Sequence, residues 1–268
     1  MAGECVDFRM IRYELRGKVA VITYDRQDVR NAWDIPMYRE VTAAVERANA
    51  DTSVGAIVFT HEGPVFCAGT NMKAAPEPPD DTGRRPNIGT VSMAPDVGWI
   101  HLLARSKPSI AAVHGAAIGL GVTQLLPMDI RMGSSASTYS LPFLALGFMP
   151  ELGATALLAR LVGHGRARDL CLSAAKLDAA EAERIGLITR VHAPEVLLDE
   201  ALALGERIAG FPQLQVRLTR QMLQDNAMEA DINQVLTRES DAFVQMRRAL
   251  KAQAAASSPK TPKDRPGD

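Results

Sequence analysis

The chain has 268 residues, a formal net charge of −1, 47% hydrophobic and 5% aromatic residues, and three cysteines. A near-neutral chain projects no global field toward nucleic acid. Cys5, Cys67 and Cys171 lie far apart, odd in number and without metal-ligand spacing, so they predict reduced thiols rather than a disulfide framework or a metal site. The apolar stretches Ile110–Val113 and Leu141–Met149 are too short or Pro-broken to span a bilayer, and the charged start MAGECVDFRMIRYE is unlike a secretory leader. The expectation is a cytoplasmic protein with no membrane and no nucleic-acid partner.

Val19–Tyr24 (VAVITY) is a compact β-branched run behind the turn Arg16-Gly17-Lys18 and predicts a strand. Asp34, one residue ahead of Ile35-Pro36, predicts a capped helix running to about Ala50. Ala56–Thr60 (AIVFT) and Ser109–Val113 (SIAAV) predict two further buried strands, each followed by a glycine-bearing turn and a helical stretch. This alternation defines an α/β class, with a ligand expected where strands hand over to helices. Ala74–Pro95, rich in Pro, Asp and Gly, predicts a long connection that is either disordered or a lid.

From Leu152 onward the pattern is helical: Leu152–Val162, Arg166–Leu172, Ala179–Ile185, Val196–Ala209 and Leu214–Asn226. A final helix of roughly Met228–Ala256 carries Val235, Ala242, Phe243 and Met246 on one apolar face, which predicts oligomerisation. Three regions follow: a core over 1–195, a C-terminal helical oligomerisation region over 196–256, and a disordered tail, Ser257–Asp268.

Two turns carry small residues in a telling pattern: Phe66-Cys67-Ala68-Gly69-Thr70-Asn71 and Gly115-Ala116-Ala117-Ile118-Gly119-Leu120-Gly121. Small side chains let backbone N–H groups point outward, and two such turns at neighbouring strand ends can aim two donors at one carbonyl oxygen. The second turn lacks both the Lys-Ser/Thr of a P-loop and GxGxxG spacing. Taken singly, each turn also serves as an ordinary strand-to-helix connection.

From Lys18 to about Phe243 the chain resembles the crotonase (enoyl-CoA hydratase/isomerase) superfamily. The resemblance rests on Arg30-Asn31-Ala32, FCAGTNMK (66–73), KPSIAAVHGAAIGLG (107–121), Asp129-Ile130-Arg131, LGFMPELG (146–153) and GRARDLCLSAAKLDAAEAERIGLITRV (165–191), in that order. It implies a spiral of ββα repeats with a C-terminal helical oligomerisation region, assembling as a homotrimer or dimer of trimers. It also implies an acyl-CoA thioester as substrate, with no further cofactor and no metal. The backbone N–H groups of Ala68 and Leu120 become the implied oxyanion donors. Gly69, Thr70, Asn71, Lys73, Gly119, Thr123 and Phe143 become the implied substrate-binding positions. The family usually has Asp where this chain has Asn71. The final helix also departs from the usual family ending near the CoA adenine.

Hydration needs two positioned carboxyl groups, one to activate water and one to protonate carbon. The family's two glutamate positions are occupied here by Thr123 and Phe143. Glu151, directly after Pro150, sits in a stretch (LPFLALGFMPELG) that resembles the peroxisomal type of Δ3,Δ2-enoyl-CoA isomerase, where this glutamate is the single base. The implied reaction moves a proton from C2 to C4 while the oxyanion hole holds the thioester enolate. Phe143, Phe148, Met149 and Leu152 are expected to surround Glu151 and raise its pKa. Pro-Glu is also an ordinary helix opening. Other readings of the scaffold are hydrolysis, dehalogenation, an atypical hydratase, or an acyl-CoA binder without turnover. Arg84 and Arg85 read as a charged loop tip, His114 as a structural histidine, and Cys67 as unreactive.

Overall fold

The computed structural model describes residues 8–94 and 98–257, with side chains up to residue 252. In chain order the elements begin β1 (Ile11–Arg16), β2 (Val19–Tyr24), α1 (Ile35–Ala50), β3 (Ala56–His61), β4 (Val65–Cys67), α2 (Ile88–Ser92) and α3 (Trp99–Arg105). Next come β5 (Ser109–Val113), β6 (Ala116–Ile118), α4 (Leu120–Thr123), β7 (Ile130–Ser134), β8 (Thr138–Ser140), α5 (Ala154–Val162) and α6 (His164–Ser173). The chain continues through β9 (Leu177–Asp178), α7 (Ala179–Arg184), β10 (Arg190–His192), α8 (Leu197–Ala209), α9 (Gln213–Asp225) and α10 (Ile232–Ser257).

The strands form a six-stranded sheet, β1-β2-β3-β5-β7-β10, and a four-stranded sheet, β4-β6-β8-β9. From β3 to β8, successive strands pass the chain from the large sheet to the small one and back, which is the expected spiral of ββα repeats. The large sheet is parallel from β2 to β10. Its central strands are continuous apolar runs because both faces are covered. Period-two alternation sorts them: Ala20, Ile22, Ile57, Phe59, Ala111 and Val113 join the main core, while Val19, Val21, Val58, Ile110 and Ala112 meet Leu197, Ala201 and Leu204 of α8.

α1 begins where the sequence predicts. Asp34 accepts from the Met37 N–H at 3.1 Å and Pro36, which has no N–H, occupies the first turn, so the helix start is left with few orphan donors. Met37, Tyr38, Val41, Ala44, Val45 and Ala48 then recur at helical spacing on its buried face.

The helix expected to open the C-terminal region, α8, instead completes the core against the large sheet. The chain divides between Phe211 and Pro212 rather than at residue 195. In the C-terminal unit, α9 and α10 enclose a groove lined by Leu218, Met222, Val235, Ala242, Phe243 and Met246. Apart from Ser257, the expected tail lies outside the described residues, as does Cys5. Among the described residues, no helix is long and apolar enough to cross a membrane.

Candidate active site

The two small-residue turns meet because β4 and β6 are parallel neighbours in the small sheet, with Val65 opposite Ala116 and Cys67 opposite Ala117. The strands that align them are these three-residue pieces, not the longer runs Ala56–Thr60 and Ser109–Val113 that the sequence shows first. Gly69 has φ +100°, a conformation that strains any L side chain. A methyl group placed there would lie 2.9 Å from the Ile118 carbonyl oxygen and 3.8 Å from the Leu120 nitrogen. One placed on Gly121 would lie 2.3 Å from the Cys67 carbonyl oxygen. Glycine on both sides is what lets the backbones touch.

Leu120 opens α4 behind Gly119, and among the described residues its N–H has no acceptor. Ala68 differs from the expectation: its N–H already donates to the Arg30 carbonyl at 3.0 Å. Arg30 and Asn31 adopt left-handed φ values of 54° and 55°, and the segment after them pairs with the turn. Trp33 donates to the Gly69 carbonyl and accepts from Asn71, each at 2.8 Å. The pairing that orders the turn thus already engages the N–H assigned to Ala68, leaving it to a ligand only as a shared donor.

Asn71 also bonds to Asp34, its side-chain amide donating to Oδ2 at 3.1 Å, while Arg26 donates to the same oxygen at 2.6 Å. Burial alone would raise the Asp34 pKa, but the bonds from Arg26, Met37 and Asn71 outweigh it and hold the carboxyl below its usual range. An Asp at position 71 would set a second carboxylate against Asp34. Asn71→Asp is expected to cost about 2 kcal/mol of stability at pH 7, the scale of a lost charged hydrogen bond. The loss should shrink as pH falls and one carboxyl of the pair protonates, since Asp34's own contribution exists only above its depressed pKa. Urea denaturation at two pH values checks this, and equal stability of the two proteins at pH 7 would contradict it.

Glu151 joins the site beside Thr70. Its pKa is raised, first by burial; the Thr70 side chain, which interacts with the carboxylate, works in the opposite sense. Thr70 follows Gly69 directly, so the carboxylate, the turn and the Leu120 N–H occupy one neighbourhood. The apolar surroundings differ from the expectation. Phe143 and Leu152 are buried, but Phe148 is 50% and Met149 71% exposed. Cover for Glu151 comes instead from α2, whose Gly89 would place a methyl group 2.9 Å from the Glu151 Oε2. The connection predicted as disordered or a lid therefore holds a short helix with Ile88 and Ser92 buried.

The remaining candidates divide. Phe143 packs with its ring 3.8 Å from where a Gly119 methyl group would stand, so both belong to the wall beside the Leu120 N–H. Thr123 is fully buried, and its hydroxyl lies 3.5 Å from the Leu120 carbonyl of its own helix. Lys73 is exposed beside the turn. Arg84 and Arg85 are exposed, and Arg85 donates to the Glu77 carbonyl at 3.2 Å. His114 Nδ1 lies 2.9 Å from Ser134 Oγ, a satisfied structural contact. Burial pushes the Cys67 thiol up to about 12, so it is no thiolate nucleophile. Among the described residues, no cluster of His, Cys, Asp and Glu can hold a metal ion.

Two glycine-turned strand ends bring an N–H without an acceptor among the described residues close to a desolvated carboxyl, groups that can polarise a carbonyl and move a proton next to it. Comparison with known proteins supplies the family. The enoyl-CoA hydratase/isomerase family pattern matches residues 14–259. A protein of Rhizobium meliloti (strain 1021) named probable enoyl-CoA hydratase is 36% identical over 207 residues, 77% of each chain. The crystal structure of a probable enoyl-CoA hydratase/isomerase from Mycobacterium abscessus superposes with a TM-score of 0.80 at 29% identity, covering 92% of this chain and 95% of that one. A putative enoyl-CoA hydratase from Thermobifida fusca YX, solved in complex with CoA, gives 0.75 at 30% identity, covering 91% and 95%. The chain belongs to the enoyl-CoA hydratase/isomerase family, the crotonase superfamily, and is an enzyme of acyl-CoA chemistry.

Proposed function

We propose that the protein is a Δ3,Δ2-enoyl-CoA isomerase in which Glu151 is the single acid/base. The observation that carries this reading is the raised-pKa carboxyl of Glu151 beside Thr70, together with Thr123 and Phe143 at the positions where hydratases of the family hold acids. The thioester oxygen of a 3-enoyl-CoA accepts from the Leu120 N–H; the Ala68 N–H joins as a donor shared with the Arg30 carbonyl. Glu151 takes a proton from C2, the negative charge spreads onto the thioester oxygen, and the same carboxylic acid returns the proton to C4. One carboxyl suffices because the acid that forms in the first step is the donor of the second.

Relatives named hydratases motivate the competing reading, water addition across a 2-enoyl-CoA. That chemistry asks Glu151 to activate water with no second acid at either family position. Exposed apolar side chains at Leu144, Leu146, Phe148 and Met149, and on α10 at Leu236, Phe243, Val244 and Leu250, support self-assembly, as a homotrimer or dimer of trimers. The purified protein should be offered 3-enoyl-CoA and 2-enoyl-CoA separately and the products weighed. Interconversion at unchanged mass is the expected result; a product heavier by one water overturns the isomerase reading.

A further inference from the structure

The segment between Ala74 and Ala94 reads as a polar connection, yet its helix α2 and the Met93 that ends it make two specific contacts with the strand-free stretch that carries Glu151. Gly89 is buried, and the space its missing Cβ leaves contains the Glu151 Oε2, 2.9 Å from where that Cβ would be. One turn later, the Met93 Sδ accepts the backbone N–H of Leu152 at 3.1 Å. Leu152 is fully buried and left-handed, with φ +56°, and Gly153 after it has φ +69°. A buried leucine rarely adopts this conformation, so the surroundings must hold it there. The thioether bond to its N–H is one such restraint, applied one residue from the carboxylate. α2 is itself ordered internally: Asn87 and Thr90 form a reciprocal capping box, and the Ser92 hydroxyl donates back to the Ile88 carbonyl at 2.7 Å.

We infer that α2 is a positioning brace for Glu151, with Gly89 providing the space for its carboxylate and Met93 pinning the left-handed turn that follows it. The inference rests on Glu151 as the base. It differs from the lid expected of a long connection: α2 acts on the enzyme's own carboxylate, whatever it does to substrate entry. The desolvation that raises the Glu151 pKa agrees with this contact.

Two substitutions separate the effects. Gly89 has no positive φ, so Gly89→Ala is allowed by the backbone, and the nearest groups the new methyl meets are the Glu151 carboxylate, the Asn87 side chain and the Met93 methyl. The added methyl should push the carboxylate toward water. Met93→Leu conserves volume and removes only the acceptor for the Leu152 N–H. Carbon-13 NMR of the Glu151 carboxyl in the intact protein, read beside kcat, KM and the pH profile, tests the brace. In Gly89→Ala the Glu151 midpoint should fall toward the ordinary carboxylate range and the acid limb of kcat/KM should move down with it. Misplacement of the carboxylate should lower kcat about tenfold with KM little changed, and Met93→Leu should show the same pattern more weakly. Wild-type midpoints and wild-type kcat in both variants, with Glu151→Gln inactive, overturn the brace and leave the base assignment standing. An active Glu151→Gln overturns the base assignment, and with it the brace as a device of catalysis.

Discussion

Glu151→Gln should bind acyl-CoA with near-normal affinity and isomerise 3-enoyl-CoA about 1,000-fold more slowly, the middle of the range for a lost general acid/base. Glutamine keeps the volume and the partner Thr70 but cannot accept or return a proton. Both halves of the proposed reaction use this one group, so nothing else in the described site compensates. The wild-type pH profile should carry the same signature. Burial raises the Glu151 pKa, so the base is lost to protonation at a pH above the ordinary carboxylate range, and kcat/KM should fall through that midpoint as the solution is acidified. In Glu151→Gln the residual rate should not show this limb. A full-rate glutamine variant, or a wild-type acid limb at ordinary carboxylate pH, contradicts the role.

The second large effect is expected at Leu120, through its backbone. Leu120 is the first residue of α4 behind Gly119, the helix position where proline is tolerated because its N–H has no helical partner to lose. Leu120→Pro therefore removes the donor and little of the helix, and the glycine before it meets proline's steric demand. Loss of one oxyanion donor costs roughly 3 kcal/mol of transition-state stabilisation, a fall of about 100- to 1,000-fold in kcat. The Leu120 side chain is 1% exposed, so truncation alone destabilises the core by about 2–5 kcal/mol. Leu120→Ala is the control: it suffers the packing loss and retains the N–H. With both variants assayed well below their melting temperatures, proline should be far slower than alanine. Equal rates would mean that the thioester oxygen does not sit at this N–H. Because the Ala68 N–H is already held by Arg30, the asymmetry between the two donors should make Leu120 the more costly to remove.

Much of this site was legible in the chain, and the parts that were not share a cause. The runs Val19–Tyr24, Ala56–Thr60 and Ser109–Val113 announce buried strands because both faces of the large sheet are covered, which leaves no polar alternation to confuse with a loop. Asp34 before Ile35-Pro36 announces a helix start because the cap is made by the sequence neighbours themselves. The small sheet is invisible by comparison: β4, β6 and β8 are three residues each, too short for any periodicity. Yet these strands bring the two turns together, so the motifs could be named while their meeting strands were misplaced.

Contacts distant in sequence were the other blind spot. Nothing near Ala68 shows that Arg30 takes its N–H, and nothing in Asn71 shows that Asp34 requires an amide there. Phe148 and Met149 look like pocket wall because they precede Glu151, but the 3-10 turn at Leu144–Leu146 and the left-handed Gly147 leave them exposed. The cover comes from α2, inside a stretch whose proline and charge content hid a helix of five residues.

The proposal that one carboxyl carries the proton from C2 to C4 is tested most directly with 3-enoyl-CoA deuterated at C2. The expected product is the 2-enoyl-CoA at the mass of an isomer, with part of the deuterium now at C4 and that transfer absent in Glu151→Gln. A product that has gained water at C3, or an isomer whose C4 hydrogen comes wholly from solvent even at the earliest times, would contradict it.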